Sequence, residues 1–286
     1  MGRAGMRMKH LRTVIVVLLA VAAALAADNR KEFKYPTGPG TSITVVNEFG
    51  PVTLKPVAGR QALVIATTHS DKVEVVCSQT GNRIEARTHF LQKANDDEGR
   101  IEYEIAVPAG VAVVVRAATG PIEAEKLQGD VTLKGDAARV IARDLNNSHV
   151  HIQTVGGPIE LNNVSGGHVE VISTDGAVRL NAVSGPKVSV NTASGDITYQ
   201  GDLGSGGEYS FSNHSGNIEL TLPATASMDL MARSITGSVQ NDFPLERKSR
   251  PGLSLVDGRS SVGTSNAGAS SVQLRSFSGK IRVKKR

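Results

Sequence analysis

The sequence predicts an all-β protein, a parallel two-sheet β-solenoid with a β-rich N-terminal cap. Three observations predict it. Glycine-led segments recur with a period near twenty residues, apolar and polar residues alternate within each segment, and the alternating runs are only four to five residues long. A helix would need apolar residues three and four positions apart, and the pattern lacks that spacing.

The period is set by glycines that open successive segments. They are spaced 19, 19, 21 and 21 residues apart and are Gly157, Gly176, Gly195, Gly216 and Gly237. The same phrase opens earlier at Gly120, and "GKIRVKK" opens at Gly279, 42 residues after Gly237. We expect these segments to be coils stacked in chain order, because one such coil cannot bury its own apolar face.

Each coil contains two short strands. In the coil that opens at Gly157 they are "PIEL" and "HVEV", and in the next coil "AVRL" and "KVSV". The alternation places Ile159, Leu161, Val169 and Val171 on one face, so equivalent strands stacked about 4.8 Å apart would form a continuous aliphatic core. Asn162 over Asn181 is expected to form a polar ladder at a corner.

The chain divides into three parts. Residues 28–118 alternate less regularly and are expected to form the β-rich N-terminal cap or first coils, which would cover an otherwise open sheet edge. Residues 119–286 are expected to form the solenoid repeats of about 19–21 residues. The stretch 244–259 breaks the period with two prolines and basic residues and predicts an insertion loop.

Residues 1–27 are interpreted as a secretory signal peptide. Arg3, Arg7, Lys9 and Arg12 precede fourteen uncharged apolar residues, and small residues follow. Cleavage is expected after Ala26 or Ala27. An apolar run this short falls below the roughly 18–20 residues of a membrane-spanning helix, so no span is expected after cleavage.

Charge excludes nucleic acid as an expected partner. The chain carries a net charge of +5, but four of its 32 basic residues lie in the signal segment, which leaves 28 basic and 27 acidic residues. No broad basic field remains. The single cysteine, Cys77, excludes an intramolecular disulfide and is interpreted as a buried, inert thiol, against the alternative of intermolecular pairing.

At this point the chain resembles a known family. The opening "VNEFGPVTLKP", the central "IEYEIAVPAGVAVVVRAATGPIEA" and repeats similar to "SGxVxVxTxSGDI" resemble the DUF4097 family of bacterial β-strand-repeat proteins, whose label is "putative adhesin". The resemblance covers residues 43–285 and implies a secreted or surface-exposed solenoid. It brings no catalytic motif and no cofactor.

Stacking also predicts a cluster of metal-ligating side chains. Residues at equivalent positions run Asp130, His149, His168, Lys187 and Glu208, and all of them would point outward. The neighbouring row brings His151 beside Glu170. Imidazoles and a carboxylate on one patch are ligands for Zn²⁺ or another divalent ion, so His149, His151, His168 and Glu170 form a candidate metal site, against the alternative of a solvated polar face.

The period-breaking loop is a second candidate site. It carries Arg247, Lys248, Arg250 and Arg259, which would offer a specific contact to a binding partner, and the alternative is a disordered basic loop.

The function favoured by the sequence is non-enzymatic binding in the cell envelope. Scattered acids, the absence of tryptophan and the absence of nucleophile, phosphate-loop or zinc-protease motifs argue against a polysaccharide-active enzyme. An exported protein of the periplasm, cell surface or extracellular space is expected, bound to an envelope polymer, a protein or another copy of itself. The alternative is a periplasmic scaffold or envelope-stress sensor that docks a membrane partner.

Overall fold

The computed structural model describes residues 29–246 and 258–286, and every regular element in these ranges is a β-strand. The first twelve strands are β1 (Asn29–Pro36), β2 (Ser42–Asn47), β3 (Val52–Pro56), β4 (Gln61–Thr68), β5 (Val73–Thr80), β6 (Arg83–Phe90), β7 (Ile101–Val107), β8 (Ala112–Ala117), β9 (Ile122–Glu125), β10 (Val131–Gly135), β11 (Val140–Asn146) and β12 (Val150–Thr154). The next twelve are β13 (Ile159–Ser165), β14 (His168–Ser173), β15 (Val178–Val183), β16 (Lys187–Thr192), β17 (Ile197–Gln200), β18 (Glu208–Asn213), β19 (Ile218–Leu222), β20 (Met228–Ser234), β21 (Val239–Asn241), β22 (Ser260–Ser265), β23 (Ser270–Ser276) and β24 (Ile281–Lys285).

The strands form two sheets of twelve, as expected for a two-sheet solenoid. The first sheet has the order β1-β4-β7-β3-β9-β11-β13-β15-β17-β19-β24-β21. The second sheet has the order β22-β20-β23-β18-β16-β14-β12-β10-β8-β2-β6-β5. Pairing is parallel through the centre of both sheets, so the predicted all-β, parallel two-sheet solenoid is confirmed.

The core lies between the two sheets and follows from the alternation. Ile159, Leu161, Val169 and Val171 are each at most 1% exposed, and their neighbours in the strands point outward. Ile159 opposes Val178 and Val169 opposes Val188, so each aliphatic side chain stacks on its equivalent in the next coil. A buried row therefore runs along the stack and removes apolar surface from water in every coil.

Buried polar side chains close one corner of the coils. The Thr154 hydroxyl donates to the Gly157 carbonyl at 3.0 Å, and the Thr192 hydroxyl donates to the Gly195 carbonyl at 2.8 Å. Asn213 Nδ2 makes the equivalent bond to the Gly216 carbonyl. The corner can therefore turn inside the protein without leaving these carbonyl groups unpaired.

The expectation that coils stack in chain order is wrong at the C-terminal end. Strand β24 lies between β19 and β21, and β23 lies between β18 and β20. The strands that come last in the chain therefore occupy an inner position, where Ile281 and Leu274 are completely buried. In these two strands the inward-facing apolar side chains are covered on both sides by neighbouring strands, which removes more apolar surface from water than an edge position would.

Antiparallel strands form three of the four sheet edges, and the fourth edge strand, β21, pairs in parallel with β24. Strand β4 pairs antiparallel with β1 and β7, β5 with β6, and β22 with β20. The last of these, β22, carries Ser260, Ser261 and Gly263 instead of a flat apolar edge. Such edges discourage pairing with another chain.

Two sequence predictions fall on parts of the chain outside the described residues. These are the signal peptide at 1–27 and most of the insertion loop at 244–259, of which residues 244–246 and 258–259 are described. Nowhere among the described residues is there a helix with the length and hydropathy that crossing a bilayer requires.

Candidate functional site

The outer face of the second sheet carries the histidine and glutamate side chains that the repeat predicts to lie close together. His149 comes directly before β12, and His168 is the first residue of β14. Val150 and Val169 are buried, so the residues beside them in the chain must point outward. We call the four side chains His149, His151, His168 and Glu170 the histidine face.

Parallel register places this face in two rows. In the first row the rings of His149 and His168 lie 5.3 Å apart between centroids, and His168 opposes Lys187. His149 Nδ1 lies 3.0 Å from Asp130 Oδ1. In the second row His151 opposes Glu170, and its Nδ1 lies 2.9 Å from Glu170 Oε2.

These contacts join the side chains in pairs. Within residues 29–246 and 258–286, no three His, Cys, Asp or Glu side chains are arranged to hold one metal ion. The pairs are exposed, with 66% of the His149 side chain and 69% of the Asp130 side chain accessible. Such exposed contacts add little to the stability of the fold, so these side chains are available to a ligand.

Of the four basic residues that the sequence analysis proposed as a contact in the insertion loop, the structure describes Arg259. Arg247, Lys248 and Arg250 lie outside the described residues. Arg259 is described, and its Nη1 lies 3.4 Å from the Ile235 carbonyl oxygen, beside the corner that follows β20.

On the outer face of the first sheet, two acidic side chains lie in ion pairs. Glu160 opposes Arg179 in register, as the repeat predicts, but its carboxylate contacts Arg139 Nη2 at 3.2 Å and accepts from Asn162 at 2.8 Å. The hydrogen bond from Asn162, followed by that from Arg139, lowers the pKa of the Glu160 carboxyl. Lys284 Nζ lies 2.7 Å from Glu219 on the same face.

The structure also assembles a set of cations that the repeat pattern did not indicate. On the outer face of the second sheet, one position recurs in register from strand to strand, two residues before the chain turns the corner. The basic residues at this position are Arg87, Arg116, Lys134, Arg275 and Arg233. We call these five residues the basic row. Their spacing along the chain is irregular, so only the strand order reveals them.

A ridge of exposed residues follows the same corner. It comprises Val155, Thr174, Ala193, His214, Phe277 and Ile235, and we call it the corner ridge. Two surface grooves, of about 340 and 460 Å³, lie between the corner ridge and the row of positions that contains the basic row. Arg116 and Lys134 line the first groove, and Ile172 and His214 line the second.

A family model described as Toastrack DUF4097 matches residues 61–284 of the chain. Three solved structures are similar. One is a "putative adhesin" from Bacteroides fragilis, with 12% identity, a TM-score of 0.51, and coverage of 90% of this chain and 98% of that one. Another, from Parabacteroides distasonis, is a "putative lipid binding protein" with 12% identity, a TM-score of 0.42, and coverage of 90% and 97%.

The third structure is a "putative adhesin" from Parabacteroides distasonis, with 9% identity, a TM-score of 0.42, and coverage of 90% and 98%. At 12% identity the Bacteroides structure shows a shared fold alone. The TM-scores of 0.42 support no conclusion about this chain. No curated protein matches the sequence.

Proposed function

We propose, from the premise that the chain belongs to the Toastrack DUF4097 family, that it is a non-enzymatic binding protein exported to the bacterial cell envelope. Its ligand is an envelope polymer or an envelope protein, held on the outer face of the second sheet.

One observation carries this proposal: the polar rows of that face are in register. His168, Lys187 and Glu208 follow one another on β14, β16 and β18, as do Glu170, Ser189 and Ser210. Each step is one strand spacing of about 4.8 Å, so equivalent side chains recur at a fixed pitch. A long partner can therefore contact several polar side chains of one row at evenly spaced positions, and many weak contacts add up to stable binding.

The exposed histidine face supports the same conclusion. His149 and Asp130 contribute little to folding, and both project from a face whose backbone is fixed by parallel pairing on both sides. Rigid presentation lowers the ordering entropy that binding costs.

The proposal is tested by retention of purified residues 28–286 on intact bacterial cells, isolated cell wall and envelope extracts. Saturable retention on cells or wall is expected, with the bound polymer recovered unaltered. Absence of saturable retention on all three materials would refute envelope binding. Release of shortened polymer would refute the non-enzymatic assignment.

A further inference from the structure

A second feature of the same sheet points to another partner. The basic row follows the strand order. Across the ten strands of this sheet that pair in parallel, the residues at this position are, in order, Arg87, Val46, Arg116, Lys134, Gln153, Ile172, Asn191, Ser212, Arg275 and Arg233. These ten positions contain five cations and no acidic residue. Lys134 and Arg275 are five strand spacings apart, or about 24 Å, so the cations form one group at each end of the row.

These cations are not neutralised by the fold. Among residues 29–246 and 258–286, Arg87, Arg116, Lys134 and Arg233 make no ion pair, and Arg275 donates to the neutral Gln273 at 3.3 Å. The only acids that line the groove beside Arg116 are Glu48 and Asp136, at the corner. The row therefore keeps its attraction for an external anion.

The corner ridge adds exposed apolar surface beside the cations. Val155 is 52% exposed, Phe277 43% and Ile235 53%. The rings of His214 and Phe277 stack in parallel, with centroids 4.6 Å apart. The ridge is held by backbone bonds between coils, such as His214 N–H to the Ala193 carbonyl at 3.1 Å, so it is a fixed feature of the corner.

The exposed apolar side chains concentrate on this side of the molecule. Six large hydrophobic residues of the described chain are exposed, and five of them lie on the outer face of the second sheet or its corner: Val155, Ile172, Met231, Ile235 and Phe277. Single exposed hydrophobic residues are ordinary, but a concentration of them marks an interaction surface.

We infer that the basic row and the corner ridge dock the protein on an anionic phospholipid bilayer. Lipid phosphates pair with the cations, while Val155, Phe277 and Ile235 enter the boundary between headgroups and acyl chains. A soluble anionic polymer would satisfy the cations but leave the ridge in water, so the two features together favour a lipid surface. This inference is independent of the proposed function, because pure lipid vesicles contain neither wall polymer nor protein.

The inference is tested by vesicle flotation of the purified chain. Vesicles of phosphatidylglycerol and phosphatidylcholine are expected to carry the protein, and vesicles of phosphatidylcholine alone are not. The variant Arg116→Ser/Arg275→Ser should bind about 25-fold more weakly, since each cation near an anionic surface contributes about fivefold. The control Arg143→Ser/Arg179→Ser has the same net charge but changes the other sheet, and it should bind as the wild type does.

The ridge has its own test. Phe277→Ser/Ile235→Ser should weaken vesicle binding while the steepness of its salt dependence stays unchanged, because the charges are intact. Circular dichroism and the melting temperature establish that each variant is folded. If Arg116→Ser/Arg275→Ser perturbs folding, Arg87→Ser/Arg233→Ser is expected to give the same loss of binding.

Three results would overturn the inference. The first is equal binding of the protein to neutral and anionic vesicles. The second is equal binding of Arg116→Ser/Arg275→Ser and its control Arg143→Ser/Arg179→Ser to anionic vesicles. The third is binding to soluble heparin with no binding to anionic vesicles. The last result would assign the basic row to a soluble anionic polymer.

Discussion

Gly157 lies directly over the carbonyl group of Ala138, so closely that a Cβ placed on Gly157 would be 1.8 Å from that oxygen. The same approach recurs along the stack. A Cβ on Gly176 would lie 2.1 Å from the Gly157 oxygen, and one on Gly195 would lie 2.2 Å from the Gly176 oxygen. The repeated glycine is therefore required by the distance between coils at this corner.

The close approach predicts that alanine substitutions at two adjacent glycines differ in their effect on stability. Gly157→Ala should lower the free energy of unfolding by about 2–3 kcal/mol, because the new methyl group forces the coils apart. Gly156→Ala is the matched control, since a Cβ there meets no atom within 4 Å. Urea unfolding measures both variants, and equal midpoints for the two would contradict the role of the glycine column.

A second column sits in the left-handed region of backbone space. Asp144, Asn163 and Ala182 have φ values of 56°, 56° and 51°, and they occupy equivalent positions in successive coils. Asn163 Nδ2 donates to Asp144 Oδ1 at 2.6 Å. Asparagine tolerates this conformation better than alanine, because its short polar side chain bonds locally.

Ala182→Asn should therefore raise the free energy of unfolding by about 0.5–1 kcal/mol. Ala193→Asn is the control, since Ala193 is also exposed and does not have positive φ. Thermal or urea unfolding of the pair gives the answer. A loss of stability specific to Ala182→Asn would show that the column does not favour asparagine.

The Cys77 thiol should resist alkylation in the folded protein. Cys77 is only partly buried against the core, in contrast to the fully buried thiol that the sequence predicted. This partial burial raises the pKa of the thiol to about 12, whereas an unfolded cysteine titrates near 8.5. At pH 8 the native thiolate is scarce, so iodoacetamide should label the native chain about a thousandfold more slowly than the chain in urea. Equal labelling rates would contradict this.

The same shift has a consequence for stability. The folded state favours the neutral Cys77 thiol. The thiol's contribution to the free energy of unfolding is therefore complete below the unfolded pKa, and it is lost as the pH rises from about 8.5 toward 12.

The metal hypothesis for the histidine face stays a prediction. Titration of the purified chain with Zn²⁺ should give about one ion per chain, and His149→Ala/His168→Ala should abolish that binding. A matched control is His69→Ala/His89→Ala, which removes two histidines elsewhere in the fold. No binding above that of the His149→Ala/His168→Ala variant would end the hypothesis.

The sequence was sufficient to predict the register of neighbouring strands where the repeat is regular. Glu160 opposes Arg179 and Asn162 opposes Asn181, because a fixed spacing of 19 residues leaves one register that keeps Leu161 and Leu180 inside. It was insufficient at the C-terminus, where a spacing of 42 residues does not say whether β24 follows β21 or enters between β21 and β19. The basic row was missed for the same reason, since Arg116 and Arg275 become members of one row only through the strand order.

The most direct measurement compares how substitutions on the two outer faces change the protein's affinity for the envelope material that retains it. One variant replaces His149, His151, His168 and Glu170 by alanine on the second sheet. Its control replaces Glu123, Arg143, Arg179 and Thr198 by alanine on the first sheet, and both are checked for an unchanged melting temperature. The account predicts that the second-sheet variant loses at least tenfold in affinity and the control keeps the wild-type affinity. Equal affinities for both variants, or a loss confined to the control, would contradict it.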